Sequence, residues 1–204
     1  MNYLSVENIS KSYGERVLFD NVSFGINKDQ KIAFIAKNGS GKTTIMNMIN
    51  GLDEPDTGQV IIRKEINMAF LSQNNNLQDE LTIEENIFAS DNEILKVIER
   101  YEKALENPND EEAYQRAFDD MDRHNAWDFE TQFKQILYKL KLEDLKMKVK
   151  NMSGGQKKRL SLAIILISKP DLLILDEPTN HLDLEMIEWL EDYFAKENIT
   201  LFMV

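Results

Sequence analysis

A glycine-rich segment that ends in lysine and threonine is the first part of the sequence whose residues could do chemistry. It reads Asn38-Gly39-Ser40-Gly41-Lys42-Thr43-Thr44. In a loop of this type the backbone N–H groups point at phosphate oxygens, the glycines allow close approach, the lysine reaches the outer phosphates and the next hydroxyl holds Mg2+. The segment therefore predicts a phosphate site with Lys42 and Thr43 in those last two roles. The alternative is a plain glycine-rich turn.

The loop departs from the usual pattern, Gly-x-x-x-x-Gly-Lys-Thr, at its first position. Ala36 stands where that pattern has glycine. A β-carbon restricts the backbone to negative φ unless strain is accepted, so alanine cannot replace a glycine that needs positive φ. The sequence leaves open what this position does, while Gly39 and Gly41 retain the other two glycines.

Two adjacent acids, Asp176 and Glu177, follow the apolar run Leu172–Leu175. The run by itself indicates only a buried strand. Acids at the carboxyl end of a sheet strand, however, face the ligand crevice of an open α/β fold. There one carboxylate can hold a magnesium-bound water and the other can orient an attacking water. The alternative is that the acids cap the next turn around Pro178.

A third motif, Ser153-Gly154-Gly155-Gln156, is followed at once by Lys157-Lys158-Arg159. The motif predicts a helix start, and the N-terminus of a helix attracts anions. Cations in the first turn oppose the helix dipole by about 0.3 to 1 kcal/mol each, so a helix built for stability alone would place acids there. The arrangement favours an anion site over a helix start that merely has a basic first turn.

Taken in this order, the three motifs resemble those of an ATP-binding cassette (ABC) ATPase, and the resemblance covers nearly the whole chain. The segment Glu177-Pro178-Thr179-Asn180-His181-Leu182-Asp183 is similar to that of the ABC-F branch of soluble, tandem-cassette translation factors. The resemblance implies an α/β fold of the P-loop NTPase type. It has a mixed or parallel core sheet, an N-terminal antiparallel β-subdomain and an inserted α-helical subdomain, and it binds ATP and Mg2+.

The resemblance also implies residue roles. It assigns Asp176 and Thr43 to the metal, with Asp176 as the metal-side acid, and it assigns Glu177 as the general base. Gln73 matches a glutamine that contacts Mg2+, and the resemblance assigns it to catalysis together with Lys42 and Glu177.

Further roles concern the nucleotide. Ser153, Gly154, Gly155 and Gln156 match the signature motif, which binds the γ-phosphate of ATP held by an opposite cassette. Tyr13, 29 residues before Lys42, stands where the family has an aromatic that stacks on adenine. Without the resemblance, Tyr13 would be a loop aromatic.

Around these motifs the residue pattern predicts alternating strands and helices. Residues 4–9 and 17–24 predict an antiparallel hairpin, and residues 31–36 predict a strand that leads into the phosphate loop. The predicted domains are 1–80, the first part of the ATP-binding core with the β-subdomain; 81–152, the helical insertion; and 153–204, the signature helix and the second part of the core.

Most of the negative charge lies in the helical insertion. Residues 84–130 contain fifteen Asp or Glu against five Lys or Arg. This surface is either a solvated helix face or a docking surface for a partner, and the spacing does not choose between them. A capping box at Thr82 and Glu85 is predicted to open the insertion, and residues 107–110 are predicted to interrupt its helices.

Composition excludes several classes of protein. A net charge of -12 and a pI near 4.7 argue against a free-standing nucleic-acid binder. The absence of cysteine excludes disulfides and thiolate metal sites. The longest apolar runs, such as residues 162–167, are far below the roughly 18 residues that span a membrane. We therefore expect no transmembrane segment and a cytoplasmic location.

The resemblance further implies a second cassette, either on the same chain or in a homodimer. Family cassettes carry a switch histidine after the last strand, and this chain stops at Val204, before it. We therefore expect an N-terminal cassette of a longer protein, slow to hydrolyse ATP alone, whose ribosome or RNA contacts lie outside these 204 residues. The alternatives are an ATPase subunit of a membrane transporter and a catalytically silent scaffold.

Overall fold

The computed structural model describes residues 1–37, 39–71, 77–89, 92–107 and 109–204. The chain forms two compact units, one of residues 1–74 with 169–204 and the other of residues 75–168. The boundary predicted at 152/153 differs from the observed one because α6 (Gly154–Ile167) packs against α5 (Ala126–Lys139) of the helical unit.

In the first unit, three antiparallel strands form one sheet. They are β1 (Asn2–Tyr13), β2 (Arg16–Asn27) and β4 (Thr57–Ile62), in the order β2-β1-β4. Alternate residues of β1, among them Leu4 and Val6, are fully buried, as expected when one face of a sheet packs on the core. The predicted hairpin is confirmed.

A second sheet in this unit is parallel throughout. It contains β3 (Lys31–Ala33), β5 (Met68–Leu71), β6 (Leu172–Leu175) and β7 (Thr200–Met203), in the order β3-β7-β6-β5. Helix α1 (Lys42–Ile49) follows β3, and α7 (Leu184–Lys196) connects β6 to β7. Buried residues of both sheets and of α1, such as Ile9, Met46, Ile174 and Phe202, form one core. The expected α/β fold is confirmed.

One strand is shorter than predicted. Strand β3 ends at Ala33, whereas the apolar pattern predicts a strand to residue 36. The backbone N–H of Phe34 still donates to the Met203 carbonyl, 2.7 Å away. Ile35 is then 91 % exposed, so the chain has left the sheet where the phosphate loop begins.

The second unit is helical. Its elements are α2 (Ile83–Phe88), α3 (Glu93–Glu106), α4 (Glu111–Arg123), α5, a short 3-10 turn (Val149–Asn151) and α6. The capping box predicted at Thr82 and Glu85 is present, and the break predicted between helices lies between α3 and α4. In the described part of the chain, no helix has both the length and the apolar character needed to cross a membrane.

Candidate functional site

The phosphate loop lies between β3 and α1, and two glycines give it its shape. Gly39 has φ +76° and Gly41 has φ +91°, values that residues with a side chain rarely adopt. A β-carbon on Gly41 would also lie 3.0 Å from the ring of Phe19. Both glycines are therefore required by this loop conformation. Asn38, predicted to belong to the site, lies outside the described residues.

Lys42, the first residue of α1, folds back over the loop. Its Nζ donates to the Ala36 carbonyl at 2.8 Å and to the Lys37 carbonyl at 3.4 Å. Ala36 is not among the described non-glycine residues with positive φ. The alanine thus contributes a backbone carbonyl that glycine would supply equally well, and its β-carbon causes no backbone strain.

Polar groups of the loop suit a phosphate ligand. The Ser40 hydroxyl oxygen is buried with no hydrogen-bond partner among the residues described by the structure. A buried hydroxyl without a partner costs about 1 to 3 kcal/mol, so its presence points to an absent acceptor. Thr43 and Thr44 lie in the first turn of α1, where backbone N–H groups have no partner within the helix and attract anions.

The two acids lie at the carboxyl end of β6, as the sequence predicts. Asp176 is 8 % exposed, and its N–H donates to the Leu71 carbonyl at the end of β5. Glu177 is exposed, and its N–H donates to the Val204 carbonyl, which follows β7. Hydrogen bonds to both neighbouring strand ends fix this backbone. Asp183 caps α7, with its carboxylate accepting from the Met186 N–H.

Asn180 orients Glu177, a contact that sequence reasoning missed. Its Nδ2 donates to Glu177 Oε2 at 2.7 Å, and its backbone N–H donates to the Glu177 carbonyl at 3.2 Å. Glu177 itself has φ +48°, which is uncommon for a residue with a side chain. The sequence signal was the spacing of three residues between Glu177 and Asn180. Pro178 lies between them and favours a turn, which brings the Asn180 amide back to the Glu177 carboxylate.

The tip of the β1–β2 hairpin contacts the phosphate loop. Tyr13, the last residue of β1, lies at this tip and is 55 % exposed. Arg16, which sequence analysis did not single out, donates from Nη2 to the Gly39 carbonyl at 2.9 Å. The position predicted for adenine stacking is thus adjacent to the loop predicted for the phosphates.

Other predicted residues lie elsewhere. Gln73 is outside the described residues. The motif at Ser153 to Gln156 belongs to the helical unit, where the Ser153 hydroxyl accepts from the Gln156 N–H and the Gln156 side chain accepts from the Ser153 N–H. Those two side chains cap α6, and Lys157 forms an ion pair with Asp79 at 2.6 Å.

The donor set fits Mg2+ better than a transition metal. Among the described residues no group of three or more His, Cys, Asp or Glu could hold a metal ion. Mg2+ is ordinarily held by one or two carboxylates with substrate phosphates rather than by an all-protein cage. Asp176 and Thr43, which the sequence predicts beside the metal, carry oxygen donors of this kind.

Comparison with protein families decides the assignment. A family model described as ABC transporter matches residues 19–180, a range that runs from β2 through the phosphate loop to Asn180. The chain belongs to this family. Its fold and motifs are those of the family's ATP-binding cassette.

Several curated relatives align along almost the whole chain. The uncharacterized ABC transporter ATP-binding protein YfmR of Bacillus subtilis (strain 168) is 41 % identical over 96 % of this chain and 32 % of its own length. ABC transporter F family member 2 of Arabidopsis thaliana is 38 % identical over 98 % of this chain and 31 % of its own length. The energy-dependent translational throttle protein EttA of Mycobacterium tuberculosis (strain ATCC 25618 / H37Rv) is 32 % identical over 94 % of this chain and 35 % of its own length. The chain spans about a third of each relative.

Solved structures share the fold. The ATP-binding subunit of an ABC transporter superimposes with a TM-score of 0.66 at 22 % identity, over 98 % of this chain and 78 % of the other. A nucleotide-free ATP-binding cassette from an ABC transporter superimposes with a TM-score of 0.59 at 24 % identity, over 100 % of this chain and 81 % of the other. Together with the family match, these likenesses make the chain an ABC-type ATP-binding cassette.

Proposed function

We propose that this cassette binds Mg-ATP, hydrolyses it with a second cassette, and uses ATP binding to engage the ribosome. The observation that carries the proposal is the convergence of the phosphate loop, the buried Asp176 and the exposed Glu177 at the carboxyl ends of one parallel sheet. This edge is where open α/β folds bind their ligands.

ATP binding rests on the loop and the hairpin tip. The backbone from Asn38 to Thr44 surrounds the phosphates, Lys42 neutralises the outer ones, and the ring of Tyr13 stacks on adenine. Thr43, Asp176 and Gln73 hold Mg2+, which screens the charge of the phosphates when bound.

Glu177 is proposed to act in hydrolysis rather than in ATP binding. A carboxylate beside the metal-side acid can position and deprotonate the attacking water without contributing to nucleotide affinity. The hydrogen bond from Asn180 limits where its carboxylate can point. Glu177 is therefore the proposed general base, and Asn180 the residue that orients it.

A second cassette completes the site. Ser153, Gly154, Gly155 and Gln156 face the γ-phosphate of ATP bound by the other cassette, which lies on the same chain or in a second copy. The N-terminus of α6 supplies the anion-binding dipole. Donors aimed at developing charge are each worth about 10² to 10³ in rate, so an isolated cassette is expected to hydrolyse ATP slowly.

Loss of the Asn180 amide should reduce turnover more than binding. Asn180→Ala is expected to lower the ATPase rate of the full-length gene product about tenfold, a typical loss when an orienting partner is removed. Its ATP affinity should stay near wild type, because Asn180 contacts Glu177 rather than the phosphate loop. His181→Ala, at the exposed neighbouring position, is the matched control. Equal turnover in the two variants would remove Asn180 from this role.

The proposed engagement of the ribosome is supported by the relatives rather than by the site. EttA is named a translational throttle and another relative belongs to the F family, and both align along this chain at 32 % identity or more. The segment Asn180-His181-Leu182-Asp183 supports the same branch and with it a cytoplasmic location. A relative named as an ABC transporter ATP-binding protein supports the second candidate, a transporter ATPase.

Cosedimentation separates the two candidates. We expect the full-length gene product carrying Glu177→Gln to pellet with purified ribosomes when ATP is present and to stay in the supernatant without nucleotide. The Lys42→Ala variant, which lacks the phosphate contact, should not pellet in either condition. Pelleting with membrane vesicles but not with ribosomes would instead establish the transporter ATPase.

A further inference from the structure

Two charged residues, Asp53 and Lys11, contact Tyr13. Asp53, which follows the end of α1, accepts a hydrogen bond from the Tyr13 hydroxyl at 2.9 Å through Oδ2. Its other oxygen, Oδ1, accepts from Lys11 Nζ at 2.9 Å. The same ammonium lies 5.5 Å from the centre of the Tyr13 ring. One carboxylate therefore connects the aromatic ring to a lysine on its own strand.

Lys11 is a firm anchor for this carboxylate. Its side chain is only 11 % exposed, and Nζ also donates to the Glu54 carbonyl at 2.5 Å. Asp56 lies 3.7 Å from the same ammonium and accepts from the Ser12 N–H at 2.7 Å. A half-buried ion pair with extra hydrogen bonds of this kind is well defined in geometry, unlike an isolated surface pair.

The protonation of the cluster is consistent with a fixed arrangement. Hydrogen bonding to Lys11 lowers the pKa of Asp53, and hydrogen bonding to Asp53 raises the pKa of Lys11 and that of Tyr13. At neutral pH the carboxylate is thus charged, the lysine is protonated and the phenol keeps its proton. The Tyr13 hydroxyl remains a donor to Asp53 under the conditions in which nucleotide binds.

We propose that Asp53 is a positioning residue that holds the Tyr13 ring against the nucleotide base, so that the Lys11–Asp53 pair tunes affinity for the base and leaves phosphate binding unchanged. The inference rests on the proposed function, because it takes Tyr13 as the base platform. A ring that is 55 % exposed has little packing to fix it. Its hydroxyl bond to Asp53 supplies the order that stacking would otherwise have to impose.

The proposal separates two ligands that share the same phosphates. ATP contacts both the loop and the ring, whereas inorganic tripolyphosphate contacts only the loop. Freezing one side chain on binding costs about 2- to 10-fold in affinity. Asp53→Ala should therefore lower the affinity for ATP relative to that for tripolyphosphate by that factor, both measured with Mg2+ by calorimetry, because the lost charge acts on both anions and cancels in the ratio.

Matched variants isolate the hydrogen bond. Tyr13→Phe keeps the ring and deletes the same bond, so it should reproduce the loss of ATP affinity relative to tripolyphosphate seen in Asp53→Ala, and the double variant should lose no more of this ratio than either alone. Glu54→Ala removes the neighbouring acid, whose backbone rather than side chain contacts Lys11. It should change ATP and tripolyphosphate affinity equally, since a lost negative charge acts on both anions.

The results distinguish a failure of the positioning role of Asp53 from a failure of the proposed ATP-binding function. A ratio of ATP affinity to tripolyphosphate affinity that is the same in Asp53→Ala as in the wild-type chain would overturn the positioning role. Equal wild-type affinity for the two ligands would overturn it as well, because the base would then contribute nothing, while the phosphate site would stand. Failure of the wild-type chain to bind either ligand would overturn the proposed function and this inference together.

Discussion

Glutamine in place of Glu177 is expected to stop ATP turnover while ATP affinity stays near the wild-type value. A general base contributes about 10² to 10⁴ in rate, and a neutral amide cannot accept the proton of the attacking water. Glutamine has nearly the same shape as glutamate, and its Oε1 can still accept the hydrogen bond from Asn180. The substitution therefore removes the proton acceptor and little else.

Steady-state phosphate release by the full-length gene product measures this effect. The expected rate is at least about a hundredfold below wild type, with the ATP dissociation constant unchanged. Glu188→Gln makes the same chemical change at an exposed position on α7 and should leave the rate unaltered. Normal turnover in Glu177→Gln would exclude this residue as the base and direct attention to another acceptor near the γ-phosphate.

Lys42→Ala is expected to weaken ATP binding about 10- to 100-fold. Hydrogen bonds to charged groups are worth about 1.5 to 3 kcal/mol, which corresponds to that range of dissociation constants. In the structure Lys42 Nζ donates to the Ala36 carbonyl, so in the bound state it exchanges a neutral acceptor for a charged one. The attraction between the ammonium and the phosphates then exceeds what the loop alone can offer.

Two controls accompany this measurement. Lys37→Ala removes an exposed lysine from the same loop that contributes only a backbone carbonyl to the contact, and it should reduce affinity far less. Ala36→Gly should leave binding intact, because Ala36 does not adopt positive φ. If Lys42→Ala bound ATP as tightly as wild type, the phosphate site would have to be placed elsewhere.

Local sequence patterns predicted much of the fold and of the site. The hairpin, the capping box at Thr82 and the helix start at Ser153 each depend on residues that are close in sequence, and each is present. The acids after β6 follow from an apolar run and its position at a strand end. Such features are set by short-range periodicity and capping, which a single sequence records.

Contacts between distant segments could not be predicted in this way. The bond between Tyr13 and Asp53 joins residues 40 apart, and that between Arg16 and Gly39 joins residues 23 apart. Neither Asp53 nor Arg16 belongs to a motif, so only the folded chain reveals them. The early end of β3 has a similar cause, since the apolar pattern continues although the backbone has left the sheet at Ile35.

The effect of Ala36 depended on one backbone angle. The loop pattern raised the question whether an alanine could replace the first glycine, and only φ could answer it. Because that angle is not positive, the position serves as a carbonyl acceptor for Lys42. A sequence comparison restricted to residue types would have counted the alanine as a defect.

Calorimetric titration of Mg-ATP into the wild-type chain tests the central claim most directly. The account predicts saturable binding of one ATP per chain, competed by tripolyphosphate and reduced in Lys42→Ala. Stoichiometric ATP binding that is unchanged in Lys42→Ala would contradict this claim. An absence of ATP binding would also contradict it, provided that cooperative thermal unfolding shows the chain to be folded.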